Sequence, residues 1–162
     1  DLSYLTHPGT ISLLQALEIP QEGGQTQFCD CRAAYDALDA DKRQYLPTLR
    51  AVHRHYVEEQ NPPGIVSHPL VRTHPETSRK SLYVSPHLTS HIDGFEAEQS
   101  DQLLQELYQH MDQPAFVWTH TWRVGDLLMW DNRPTMHRRL GFPDEQRRAM
   151  KRTQVFGDEP VE

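Results

Sequence analysis

No apolar run in these 162 residues approaches the roughly 20 that a helix needs to cross a bilayer, and no charged-then-apolar leader opens the chain. The expectation is a cytoplasmic protein with no membrane segment. Cysteine is scarce: Cys29 and Cys31 are the only two, too few for a four-sulfur zinc site. They read as reduced, structural thiols. Positive charge is short as well, with 16 Lys and Arg against 23 Asp and Glu and a formal net charge of -7. That balance argues against a general nucleic-acid binder, because neutralising phosphates needs a dominant basic surface. Internal repeats, low-complexity tracts and linkers are all missing, so residues 1-162 read as a single domain.

Against that acidic background, one stretch concentrates unusual side chains. Residues 130-152 read WDNRPTMHRRLGFPDEQRRAMKR, with Trp130, Asp131 and Asn132 ending an apolar run and His137 just beyond. The end of this stretch predicts a strand over Gln146 to Phe156, whose alternation puts Arg148, Met150 and Arg152 on one face. Two guanidinium groups on an inward face are costly to bury unpaired, so that face should hold anions. A solvated basic strand edge is the other reading of the same residues.

The rest of the chain alternates short strands with two helical insertions. Thr10 to Ile19 and Gln25 to Cys29 read as a hairpin-like pair of strands around Gly23 and Gly24. Asp30 reads as the cap of a helix over Arg32 to Leu38, and a second helix should run from Asp39 to about Arg50. Pro69 to His74 and Ser81 to Ser85 predict two strands around a turn. The clearest helix is Glu96 to Met111, with Leu103, Leu104 and Leu107 as its apolar stripe. Ala115 to Trp122 and Leu127 to Trp130 follow as strands. His53 and His55, two apart on a possible strand, lack a third partner at metal-ligand spacing. This order suggests a mainly β protein with helical insertions, a jelly-roll or cupin-like barrel rather than alternating parallel units.

The motifs WDNRPTMH, RRAMKRT and GDEP, together with DLSY, EIPQEGGQTQF and RAAYDAL nearer the start, give the chain a family likeness. It resembles the taurine dioxygenase and 2,4-dichlorophenoxyacetate dioxygenase family of iron(II)- and 2-oxoglutarate-dependent oxygenases. The resemblance implies a double-stranded β-helix in which Asp1 and His137 bind iron. It implies that Thr26 and Arg148 hold 2-oxoglutarate, and that Arg152 and Tyr4 meet the primary substrate. Trp130 and Asn132 would shape the site. Fe(II), 2-oxoglutarate and O2 would be the cofactors, a small anionic organic molecule the substrate, and a homo-oligomer a possible state.

In that family the iron motif is His-x-Asp, and this sequence begins at what resembles its Asp. The expectation is therefore a C-terminal fragment starting inside the motif, with an N-terminal portion missing. A non-catalytic cupin-like binding domain lacking a complete metal triad is the alternative.

Overall fold

The computed structural model describes residues 2-157 and 161. Asp30 decides where the first helix starts. Its carboxylate accepts hydrogen bonds from the backbone N–H groups of Arg32 and Ala33 at 3.0 and 3.1 Å, so α1 (Cys31–Asp36) begins at the next residue. Asp39 caps α2 (Ala40–Tyr45) through the Lys42 N–H in the same way. The expected continuation to Arg50 is corrected here: α2 gives way to a 3-10 turn at Leu46–Thr48, and Arg50 already opens a strand. Pro47 has no N–H with which to extend an α-helical ladder.

The third helix, α3 (Ala97–Met111), buries Leu104, Leu107 and Met111 at helical spacing, with Leu103 and Tyr108 half-buried beside them. They pack with Ala34, Tyr35, Leu38, Leu46, Leu82 and Ile92 into the main hydrophobic cluster. Cys29 and Cys31 belong to the same cluster as free, buried thiols.

Eleven described strands make three three-stranded sheets and one hairpin, every pairing antiparallel. In the first sheet β1 (Gly9–Glu18) is central, with β2 (Thr26–Asp30) central in the second and β3 (Arg50–His53) in the third. The third sheet is completed by β4 (Val66–Pro69) and β7 (Thr89–Ile92), while β5 (Val71–Thr73) and β6 (Lys80–Leu82) form the hairpin. The second sheet gains β8 (Val117–His120) and β10 (Thr135–Arg139); the first gains β9 (Leu127–Asp131) and β11 (Ala149–Phe156). From β8 onward the chain therefore alternates between the two sheets, which is how a jelly roll is wound.

β1 and β2 are not the hairpin that their sequence suggests. β1 pairs with β9 and β11, and β2 with β8 and β10, so the Gly23 and Gly24 link carries the chain from one sheet to the other. Gly23 has a positive φ, and a Cβ there would lie 2.3 Å from the Gly141 carbonyl oxygen. Only glycine allows that approach. β11 is shorter than the expected strand, starting at Ala149 rather than Gln146.

Side chains of β1 divide between two environments. Ser12 and Ala16 are buried between the layers, whereas Leu17 faces solvent together with Leu127 and Met129 of β9. Ser12 and Asn132, 120 residues apart, bond through the Asn132 amide at 2.9 Å and so tie the end of β9 to β1.

Candidate active site

Register on β2 and β10 sets the site. His137 lies opposite Phe28, and Arg139 opposite Thr26. Directly paired residues share a face and so do residues two apart, so Thr26, Phe28 and His137 point the same way. The His137 ring is walled by Phe28 at 6.1 Å and Trp130 at 4.9 Å between ring centroids. Burial, with the nearby Arg152 charge adding to it, pulls His137 down to about 3. Its imidazole is therefore neutral at ordinary pH, the form a metal requires.

Thr26 is 2% exposed, and its hydroxyl sits between two groups that can only donate. Trp122 Nε1–H reaches it at 2.9 Å and an Arg148 N–H at 3.4 Å. Both occupy lone pairs, which leaves the Thr26 proton for an acceptor. The Arg148 Nε also donates to the Gly24 carbonyl at 3.0 Å. Half-buried Arg148 forms no ion pair with an acid among the described residues; burial and neighbouring Arg139 both lower its pKa. A desolvated cation beside an available hydroxyl proton is chemistry that suits a carboxylate.

Trp122 was absent from the residues that sequence singled out. Nothing local marks it, since its partner is 96 positions away.

Tyr4, His53, Asn132, His137 and Arg152 line a cavity of about 590 Å³. Tyr4, His137 and Arg152 are thus brought together, while Thr26 and Arg148 form a pair two residues further along the sheet, about 7 Å away. Met150 and Arg152 point toward the face of Ala16 and Leu14, their partners on β1. Burial lowers the Arg152 pKa and neighbouring Tyr4 opposes the change. Asp1 lies outside the described residues. Among the described residues no three His, Cys, Asp or Glu side chains converge to hold a metal ion.

Asp131 anchors the loop that delivers His137. Burial alone would raise its pKa, but hydrogen bonds from Arg133 and His74 hold it at about 2. His55 lies beyond the end of β3, whereas His53 is its last residue and is buried in the cavity wall.

His53 also makes stability depend on pH. Burial, reinforced by His68, lowers it from 6.5 to about 3. The unfolded chain takes up that proton near pH 6.5 and the folded chain only near pH 3, so the unfolded state binds more protons in between. Stability is therefore full above about pH 6.5 and declines as the pH falls toward 3. Urea midpoints should fall across that window, and His53→Gln should flatten the decline. An unchanged slope in the variant would remove His53 as its source.

The described residues suit the groups that the family resemblance implies. Arg148 and Thr26 offer a carboxylate its donors, and His137 offers a neutral imidazole. Residues 1–154 match the family model described as taurine catabolism dioxygenase TauD, TfdA family. The alpha-ketoglutarate-dependent 2,4-dichlorophenoxyacetate dioxygenase of Burkholderia sp. (strain RASC) is 41% identical over 97% of this chain and 57% of its own length. The chain spans about three fifths of the curated relatives that it matches. Among solved structures, AAD-2 in complex with Mn(II) and N-oxalylglycine superposes with a TM-score of 0.91 at 39% identity, covering 99% of this chain and 68% of that one. A taurine dioxygenase from Burkholderia xenovorans gives 0.89 at 36% identity, over 99% and 56%. With its jelly-roll winding and its residues 1–154 matched end to end, the chain belongs to the TauD, TfdA dioxygenase family.

Proposed function

We propose that this chain forms most of an Fe(II)- and 2-oxoglutarate-dependent dioxygenase that hydroxylates a small anionic organic substrate. The observation that carries the reading is the Arg148 and Thr26 pair, a half-buried guanidinium with no acidic partner among the described residues touching a threonine on the same sheet face as His137. Two strand residues span about 7 Å, a distance that a five-carbon dicarboxylate can bridge. Relatives named for 2,4-dichlorophenoxyacetate and (S)-phenoxypropionate support an aromatic acid as substrate.

In this reading Asp1 and His137 hold the iron. Bound iron(II), 2-oxoglutarate and O2 supply the oxidising chemistry, with the cosubstrate released as succinate and carbon dioxide. The chain's own part is to position and exclude water. Arg148 and the Thr26 hydroxyl bind the distal carboxylate, while Trp122 orients that hydroxyl. Arg152 meets the anionic group of the substrate and Tyr4 its body, with Phe28 and Trp130 closing the wall behind His137. A cytoplasmic location fits the free, buried Cys29 and Cys31, and the exposed apolar side chains of β1 and β9 are where self-association belongs.

Anaerobic titration of the full-length protein with iron(II) and then 2-oxoglutarate tests the reading. A weak visible charge-transfer band is expected. A folded protein that gives none is instead a non-catalytic cupin-like binding domain.

A further inference from the structure

A threonine hydroxyl turns about its C–O bond, so where its proton points depends on what its lone pairs accept. For Thr26 the shorter of the two donors is Trp122 Nε1–H, at 2.9 Å against 3.4 Å for Arg148. The placing of that indole therefore bears on the hydroxyl. His120, the last residue of β8, lies directly opposite Thr26 in the pairing with β2, and opposed residues share a face. Its ring meets the Trp122 ring edge-on, with 4.5 Å between centroids and 89° between planes, a favoured geometry for an aromatic pair.

The His120 ring is itself tethered, its Nε2 lying 3.1 Å from an Asp126 carboxylate oxygen. The Arg123 backbone N–H, and then His120, hold that carboxyl below its ordinary range, so it is ionised at ordinary pH. An ionised carboxylate only accepts, which puts the shared hydrogen on Nε2. Asp126 is tied in turn to the first sheet. Its carbonyl accepts from the Ala16 N–H, and the Gly125 N–H donates to the Ala16 carbonyl, both at 2.9 Å. A continuous series of contacts thus runs from β1 through Asp126, His120 and Trp122 to the Thr26 hydroxyl.

We propose that His120 is a positioning residue for the distal carboxylate of the cosubstrate, acting through Trp122 on the Thr26 hydroxyl. This rests on the reading of Arg148 and Thr26 as the 2-oxoglutarate site. An indole free to swing gives up its bond to Thr26 and lets the hydroxyl turn its proton elsewhere. Braced by His120, the indole keeps that bond in place before the cosubstrate arrives, and less order has to be gained on binding. The effect falls on cosubstrate affinity and leaves metal binding alone.

The test is anaerobic calorimetric titration of the full-length, iron(II)-loaded protein with 2-oxoglutarate, with a urea curve for each variant. His120→Ala should weaken the cosubstrate about 3- to 10-fold, the worth of one ordinary hydrogen bond, with iron(II) affinity unchanged. His120→Gln keeps a donor for Asp126 but no ring against the indole, so it should match His120→Ala and replaces it if the alanine variant does not fold. His120→Phe keeps a ring there and should recover more than half of the loss. Trp122→Phe removes the N–H through which His120 acts, so adding the His120 substitution to it should cost little more. Wild-type affinity in the ring-less variants, no recovery in His120→Phe, losses that multiply in the double variant, or an equal fall in iron(II) affinity overturns the proposal. Wild-type cosubstrate affinity in Arg148→Ala fails the reading of the site itself, and the proposal with it.

Discussion

Arg148→Ala should abolish cosubstrate binding, with 2-oxoglutarate affinity falling at least about 100-fold while the protein stays folded. Truncating one member of a desolvated charge pair costs on the order of 2–5 kcal/mol, which corresponds to about 30- to 4000-fold in affinity. The upper part of that range applies here because Arg148 is the cation that touches the Thr26 hydroxyl. Stability should change little. The substitution loses the bond to the Gly24 carbonyl, yet it also removes a half-buried charge that lacks an acidic partner among the described residues and stands near Arg139. Arg148→Lys keeps the charge but not the planar fork, so its affinity should lie between those of the other two proteins. Calorimetric titration with 2-oxoglutarate and a parallel urea curve decide the matter. Wild-type affinity in the alanine variant would move the cosubstrate away from this corner of the sheet.

The second large effect is expected at His137. In His137→Ala, iron(II) affinity should fall more than about 100-fold, since loss of even an outer partner of a metal ligand typically costs 10- to 100-fold. The 2-oxoglutarate band should vanish with it. Because Phe28 and Trp130 enclose the ring, the variant also leaves a gap between two aromatic walls. His137→Gln fills that gap with a side chain of similar reach and a neutral amide. If both variants lose iron, coordination rather than packing is responsible. If either binds iron as the wild type does, the metal belongs to other residues.

Much of this was legible before any coordinates. Asp30 and Asp39 cap their helices through N–H groups two or three residues on, so both starts could be read locally. The stripe of α3 repeats within one helix, and Leu104, Leu107 and Met111 are buried as their spacing implies. Where one local signal competed with another, the reading slipped. Helical spacing favoured α2 up to Arg50, but Pro47 ended the ladder sooner.

What sequence pattern left open was always a matter of distant partners. β1 and β2 look like a hairpin because strands joined by a short glycine turn usually pair. Here each gains its neighbours from strands about 90 or more residues later, and the turn becomes a crossing between sheets. The motif resemblance named Thr26 and Arg148 separately; only folding brought them to 3.4 Å and set Trp122 against the same hydroxyl. It also buried His53 in the cavity wall. Alternation, helical spacing and caps act over a few residues, so they determine which elements form and which face of each is apolar. Which polar atom meets which depends on strand register between segments far apart in the chain, and the tertiary structure alone decided that.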